Sequence, residues 1–188
     1  MKKNTKKIVT AAGIAAGTAA VASLYAYVTI KALIDTALDR EMPKVMEKAD
    51  KRISGEKSSD EFTNRMESAS ESLAVQPNET VEIIAHDGEK LVGHYFPCEK
   101  PERVIIAFHG WRSSWHRDFG MISDFWYKNN CSVLYVEQRG QNNSSGEYMG
   151  FGLTERFDCL DWLNWEIERC GSDIPVYLAG VSMGLPPY

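Results

Sequence analysis

Residues 175–184 read Pro175-Val176-Tyr177-Leu178-Ala179-Gly180-Val181-Ser182-Met183-Gly184. The first six form a short apolar run that predicts a strand. The pattern G-x-S-x-G follows, and its small flanking residues allow a strand to reverse into a helix within a few residues. Such a turn exposes the serine hydroxyl at the end of the strand. The stretch therefore predicts an α/β architecture in which Ser182 is a candidate nucleophile.

The sequence before this stretch alternates between strand and helix patterns from Thr80 onward. The turn dipeptide Asp87-Gly88 predicts an antiparallel hairpin between the apolar runs 81–85 and 91–96. Alternating strands and helices favour parallel strands joined by crossover helices. The further predicted elements are strands at 103–108 and 132–136 and helices at 119–128 and 153–169.

A second motif follows the predicted strand at 103–108. His109-Gly110-Trp111 places a glycine where the backbone can approach a substrate carbonyl closely. The backbone N–H groups of Trp111 and Met183 are then candidates for an oxyanion hole, which stabilises the charge that develops when a serine attacks a carbonyl. The sequence thus pairs a candidate nucleophile with a candidate site for the charge that it generates.

Four ordered motifs together resemble the α/β-hydrolase superfamily, and most closely its lipase- and serine-aminopeptidase-like branch, which includes membrane-anchored bacterial hydrolases. The resemblance covers about Thr80 to Gly184 and implies the N-terminal half of a mostly parallel sheet with crossover helices. The motifs are Phe108-His109-Gly110-Trp111, Glu137-Gln138-Arg139-Gly140 with Ser144 and Gly146, Asp158 with Trp162, and Gly180-Val181-Ser182-Met183-Gly184.

The resemblance implies a serine hydrolase that acts on a carboxylic ester or a peptide bond of a small-molecule or peptide substrate. Ser182 would form the acyl-enzyme and Trp111 and Met183 would supply the oxyanion hole, with no cofactor and no metal. One departure lies in the loop after 132–136, where Glu137 begins the motif and Gln141-Asn142 replace the usual His-Gly pair. The implied supporting residues are His109, Gly110, Gly180 and Gly184.

The sequence lacks the acid and the histidine that would complete a catalytic triad with Ser182. In this superfamily both follow the nucleophile along the chain, whereas the four histidines, at 86, 94, 109 and 116, all precede Ser182. The tail Leu185-Pro186-Pro187-Tyr188 is poor helix, and the strand at 176–181 would be an exposed apolar edge. We therefore expect a chain truncated after its nucleophile turn and inactive alone. The alternative is a non-catalytic, membrane-tethered module that retains half of the fold.

Each histidine and helical aspartate has a structural interpretation. His109 is expected to orient the oxyanion turn, and His86 and His94 to lie at the surface or in packing. His116 is expected in a solvent-facing polar loop. Asp158 and Asp161 are expected to be solvated or involved in capping. None of them is therefore predicted to act with Ser182.

The N-terminal end indicates a membrane. Residues 1–40 carry a net charge of +4, whereas the rest carries −9, which argues against a nucleic-acid surface. Lysines at 2, 3, 6 and 7 precede an uncharged run from Ile8 to Ile30, long enough to cross a bilayer and oriented with the lysines in the cytoplasm. We expect a single-pass anchor with an extracytoplasmic domain. A cleaved signal peptide, with secretion, is the alternative, because Ala20-Val21-Ala22 resembles a cleavage site.

Three segments follow from these patterns. Residues 1–30 form the lysine-rich end and anchor, 31–78 a helical membrane-proximal stalk, and 79–188 the partial hydrolase domain. The stalk either packs one helical face against the domain or is a solvated spacer. The four cysteines show no metal-ligand spacing; export would permit disulfides, but the sequence does not give a pairing, and buried thiols are favoured.

Overall fold

The computed structural model describes residues 2–41 and 60–184, with side chains from residue 19 onward except that of Met183. Part of the predicted stalk, 42–59, and the proline-containing tail, 185–188, lie outside the described residues. The chain divides into two compact units, Met1–Asp39 and Arg40–Tyr188.

The first unit is one long helix, α1, from Lys2 to Leu38. Its segment Ala19–Leu38, with a mean hydropathy of 1.3, is long and apolar enough to cross a membrane. This segment overlaps the predicted span Ile8–Ile30 and extends eight residues beyond it. An N-terminal signal sequence has the same properties, so the helix agrees with both alternatives.

The second unit is built on a five-stranded sheet in the order β1-β2-β4-β3-β5. β1 and β2 form the predicted antiparallel hairpin, and β2 also pairs antiparallel with β4. β3 lies between β4 and β5 and is parallel to both. The mixed α/β architecture is confirmed. The strands are β1 (Glu79–Ile84), β2 (Lys90–Phe96), β3 (Arg103–Phe108), β4 (Cys131–Glu137) and β5 (Val176–Gly180).

The helices cover both faces of the sheet. They are α2 (Glu61–Ala74), α3 (Trp115–Lys128) and α4 (Glu155–Cys170). Side chains alternate between two cores along β3 and β4: Ile106 and Leu134 pack with Trp162 of α4, and Ile105 and Tyr135 with Phe119 of α3. Burial of both strand faces explains why β3 and β4 are continuous apolar runs in the sequence.

Helix α2, which lies within the predicted stalk, packs against α3. Leu73 of α2 is buried in the same core as Phe119. A Cβ atom added at Gly120 would lie 2.7 Å from the backbone of Ala69 and Ser70. The two helices therefore approach so closely that glycine is required at their crossing.

Strand β5 is an edge strand within the described residues. It hydrogen-bonds to β3 on one side, and the side chains of Tyr177 and Leu178 are exposed. This is the apolar edge expected for 176–181, and it lies beside β3, which leads into the His109-Gly110-Trp111 turn.

Candidate active site

Ser182 lies at a sharp turn immediately after β5. Gly180 is the last residue of the strand, and Ser182–Gly184 form a single turn of 3-10 helix. The φ angle of Ser182 is +54°, in the left-handed region that an L-residue rarely adopts. Strain of this kind concentrates at functional sites. The tight strand-to-helix reversal predicted from G-x-S-x-G is therefore present.

The second glycine of the motif is required by the end of the neighbouring strand. A Cβ atom added at Gly184 would collide with the carbonyl oxygen of Phe108 and lie 2.6 Å from that of His109. The Val181 N–H donates to the Phe108 carbonyl over 3.1 Å, which fixes the turn to β3. The nucleophile turn and the turn after β3 are therefore built against each other.

The candidate oxyanion turn lies next to Ser182. A Cβ atom added at Gly110 would be 3.7 Å from Cβ of Ser182 and 3.3 Å from the carbonyl oxygen of Val181. Trp111 follows in this turn and is half-buried, and the Met183 backbone follows Ser182 in the 3-10 turn. Two segments far apart in the sequence are thus brought together around Ser182.

His109 is fully buried, and its hydrogen bonds fix one neutral tautomer. Nδ1 donates to the Gly110 carbonyl oxygen over 2.8 Å, because a carbonyl can only accept. Nε2 accepts from the backbone N–H of Gln138 over 3.3 Å, because an amide N–H can only donate. Burial lowers the pKa of His109, which keeps the imidazole neutral. Both ring nitrogens are therefore occupied in shaping the turn after β3.

Asp118 also holds this turn, a role that sequence reasoning missed. Its Oδ2 accepts the Gly110 N–H over 2.6 Å, and its Oδ1 accepts the Ser113 hydroxyl over 2.6 Å. Asp118 lies in the first turn of α3, where acidic residues are common for a different reason, the helix dipole. The sequence position of Asp118 therefore did not indicate that it binds the turn after β3.

The two residues that depart from the superfamily pattern contact the same turn. The Gln141 side chain accepts the backbone N–H of Arg112 over 2.6 Å. The Asn142 side-chain amide donates to the Ser113 carbonyl over 3.0 Å and lies 3.2 Å from Nε2 of His109. The loop after β4 therefore clamps the loop after β3 through side-chain amides.

The expectation that Asp158 is solvated or a cap is wrong. Asp158 is buried, and both of its oxygens accept from Arg139, over 2.9 and 2.5 Å. Arg139 also donates to Asp87 of the hairpin turn over 2.7 and 3.1 Å. The hydrogen bonds from Arg139 lower the pKa of Asp87. Arg139 thus ties the loop after β4 to both α4 and the β1–β2 turn.

The remaining histidines lie in other hydrogen-bond networks. His86 is 3.0 Å from Asp161, and His94 is 2.9 Å from Glu137 and stacks on Trp115. The expectation for His116 is wrong. It lies in the first turn of α3, half-buried, with its ring nitrogens 2.9 Å from Ser70 and 3.1 Å from Ser114.

One group of side chains has the composition of a metal site. His86, Asp158 and Asp161 place one possible ligand atom each within 4.8 Å of one another. Both Asp158 oxygens already accept hydrogen bonds from the Arg139 guanidinium. We therefore interpret the group as an ion-pair network and assign no metal to it.

Solved structures similar to this chain include an esterase and a serine hydrolase homologue. An esterase of Pyrococcus furiosus, Pf2001, is 26% identical with a TM-score of 0.53, over 61% of this chain and 45% of that one. An alpha-beta serine hydrolase homologue from Coxiella burnetii is 21% identical with a TM-score of 0.50, over 58% of this chain and 54% of that one.

The similarity to known proteins is limited to solved structures and covers only part of each. No protein-family model matches the sequence, and no curated protein matches it significantly. The chain spans less than half the length of the Pyrococcus furiosus esterase. Over the part that the comparison covers, the chain is related to the α/β-hydrolase superfamily.

Proposed function

We propose that this protein is a serine hydrolase whose nucleophile is Ser182. The observation that carries the proposal is the position of Ser182 at φ +54°, with the Gly110 turn beside its Cβ atom. Strained backbone of this kind concentrates at functional sites, and here it lies against a second glycine turn. The esterase and serine hydrolase names of the two similar structures support the same chemistry.

In the proposed reaction, Oγ of Ser182 attacks the carbonyl carbon of a carboxylic ester or peptide bond. The N–H groups of Trp111 and Met183 donate to the oxyanion, and an acyl-enzyme forms as the alcohol or amine leaves. Water then releases the acid. His109, Gly110, Asp118, Gln141 and Asn142 hold the donor turn in place, so their contribution is to position Trp111.

The attack also needs a base, and the four histidines of this chain are bonded elsewhere. His109 directly precedes the Gly110 turn that lies beside Ser182, but its two nitrogens hold Gly110 and Gln138. We therefore infer that the 188-residue chain does not turn over substrate unaided. An exogenous imidazole would substitute for the missing base.

The test is labelling with a fluorophosphonate, followed by mass spectrometry of the peptide that contains Ser182. We expect slow labelling of the full chain that rises at least about tenfold with added imidazole, because general base catalysis contributes roughly 10²–10⁴-fold in intact sites. Ser182→Ala should abolish it, whereas Ser123→Ala, a substitution in α3, should not. Labelling that is absent at every imidazole concentration would favour the non-catalytic, membrane-tethered module.

We further propose that α1 anchors the protein in the membrane with the second unit outside the cytoplasm, as in the membrane-anchored lipase-like branch. The apolar segment Ala19–Leu38 and the lysines at positions 2, 3, 6 and 7 support this orientation. A cleaved signal peptide would leave a secreted protein, which the membrane-extraction experiment below distinguishes.

A further inference from the structure

Cys98 and Cys131 occupy facing positions at one end of the β2–β4 pair. The antiparallel register places His94 opposite Tyr135 and Phe96 opposite Val133. Continued past its last pair, two residues after Phe96 and two residues before Val133, the same register places Cys98 opposite Cys131. The Cys98 backbone N–H donates to the Ser132 hydroxyl over 3.0 Å, which shows that the chains remain adjacent beyond the end of β2.

The two cysteine side chains belong to the same face of the sheet. Phe96 contacts Tyr135 and Trp115, and Cys131 is buried in the core that contains both of these rings. Continuing the alternation of β2 beyond its last residue, Phe96, places Cys98 on the same face as Phe96. Directly opposed residues of antiparallel strands have Cα atoms about 4.5–5.5 Å apart, within the range of about 4.4–6.8 Å that a disulfide spans.

The two thiols differ in exposure, so they react with an external oxidant in a fixed order. Cys98 is partly exposed, whereas Cys131 is buried, and both are reduced in this structure. Burial raises the pKa of the Cys131 thiol, and the nearby Arg103 guanidinium offsets only part of this rise. An oxidant in solution therefore reaches Cys98 first, and Cys131 reacts from inside the domain.

We propose that Cys98 and Cys131 form a dithiol–disulfide site that is oxidised by thiol–disulfide exchange. The Cys98 thiolate attacks one sulfur of a small-molecule disulfide, forming a mixed disulfide and releasing one thiolate. The Cys131 thiolate then attacks Sγ of Cys98, closing the protein disulfide and releasing the second thiolate. Two protein thiols lose two electrons, one external disulfide gains them, and the two protein protons pass to the released thiolates.

This disulfide would enclose the segment that carries the candidate oxyanion turn. Residues 98–131 include β3, the His109-Gly110-Trp111 turn and α3. A cross-link at its two ends would restrict the unfolding of this segment, and an oxidising extracytoplasmic environment would maintain it. The inference depends on the register and burial of two cysteines and stands whether or not Ser182 is a nucleophile.

The test is oxidation of the full chain with oxidised glutathione, followed by peptide mapping without reduction. We expect loss of two of the four thiols, a peptide pair joined through Cys98 and Cys131, and a melting temperature raised by about 5–10 °C. Cys98→Ser should abolish the joined pair and the shift. Cys170→Ser, a substitution in α4 on the other face of the sheet, should leave both intact.

Three results would overturn the proposal. They are four thiols that persist in oxidised glutathione, a glutathione adduct on Cys98 that does not resolve, and a linkage to Cys159 or Cys170. Mapping of the wild-type chain separates these outcomes, so the conclusion does not depend on whether a serine variant folds.

Discussion

The backbone of Ser182 is held at φ +54°, which costs an L-residue about 1–2 kcal/mol compared with the right-handed region. Glycine adopts this conformation without that cost. The same glycine would lose the hydroxyl on which the proposed chemistry depends.

This strain predicts the effect of Ser182→Gly. We expect the free energy of unfolding to rise by about 1 kcal/mol, because the left-handed turn no longer opposes a side chain. Ser182→Ala is the matched control, since alanine removes the hydroxyl and retains the Cβ atom. Urea unfolding monitored by circular dichroism gives both values. Equal stability of the two variants would contradict a strained turn.

Glu166 of α4 is a buried carboxyl group whose ionisation destabilises the folded state. Its side chain is fully buried, its Oε2 accepts from the Cys170 thiol, and its Oε1 has no partner among the described residues. Burial raises its pKa from 4.5 to about 7. The unfolded state therefore releases this proton at lower pH than the folded state does.

The sign of the pH dependence follows from that difference. The free energy of unfolding falls by about 3 kcal/mol in total as pH rises from about 4.5 to 7, because Glu166 ionises less readily in the folded state than in the unfolded state. Glu166→Gln should therefore stabilise the protein at pH 8 by about 2–3 kcal/mol more than at pH 5. Glu168→Gln on the exposed side of α4 is the control. A stability gain of Glu166→Gln that is the same at pH 5 and pH 8 would refute a raised pKa for Glu166.

At the scale of elements, the strands were the most predictable part of the molecule. β3 occupies the predicted range 103–108 because strands buried on both faces are continuous apolar runs. The start of α3 was missed: the predicted helix begins at Phe119, whereas Trp115, which opens the actual helix, contributes to the core. A buried aromatic residue in a polar segment follows from tertiary packing, which local periodicity does not register.

The candidate site was predictable only in its backbone motifs. Glycine requirements at Gly110 and Gly184 follow from local turn geometry, so their sequence motifs are visible. The Gly110 N–H donates to Asp118, and the Arg139 guanidinium donates to Asp158. Both hydrogen bonds join distant elements through charged residues. Charged residues on a helix are usually solvated, so their sequence pattern gave the wrong environment for Asp158.

The crossing of α2 and α3 gives a test at this scale. In an isolated helix Gly→Ala stabilises by about 1 kcal/mol. At Gly120 the added Cβ would lie 2.7 Å from the α2 backbone, so we expect Gly120→Ala to destabilise by about 1–3 kcal/mol. Tyr127→Ala on the exposed side of α3 should be nearly neutral. Urea unfolding measures both, and a stabilised Gly120→Ala protein would show that the helices do not pack as described.

At the scale of the whole molecule, the chain combines an apolar helix with a unit that spans less than half of a similar esterase. The proposed anchor predicts that the protein stays in the membrane pellet after alkaline carbonate extraction. Mass spectrometry should find Lys2 at or next to the N-terminus of the extracted protein. Recovery of a soluble chain that begins after Ala22 would instead establish signal cleavage.

The central claim is that Ser182 and the two backbone N–H groups form one catalytic constellation. The most direct measurement is a crystal structure of the chain after fluorophosphonate treatment in the presence of imidazole. We predict a phosphonyl group on Oγ of Ser182, with its oxygen about 2.7–3.1 Å from the backbone nitrogens of Trp111 and Met183. An adduct on another residue, or a phosphonyl oxygen that accepts from neither nitrogen, would contradict the account.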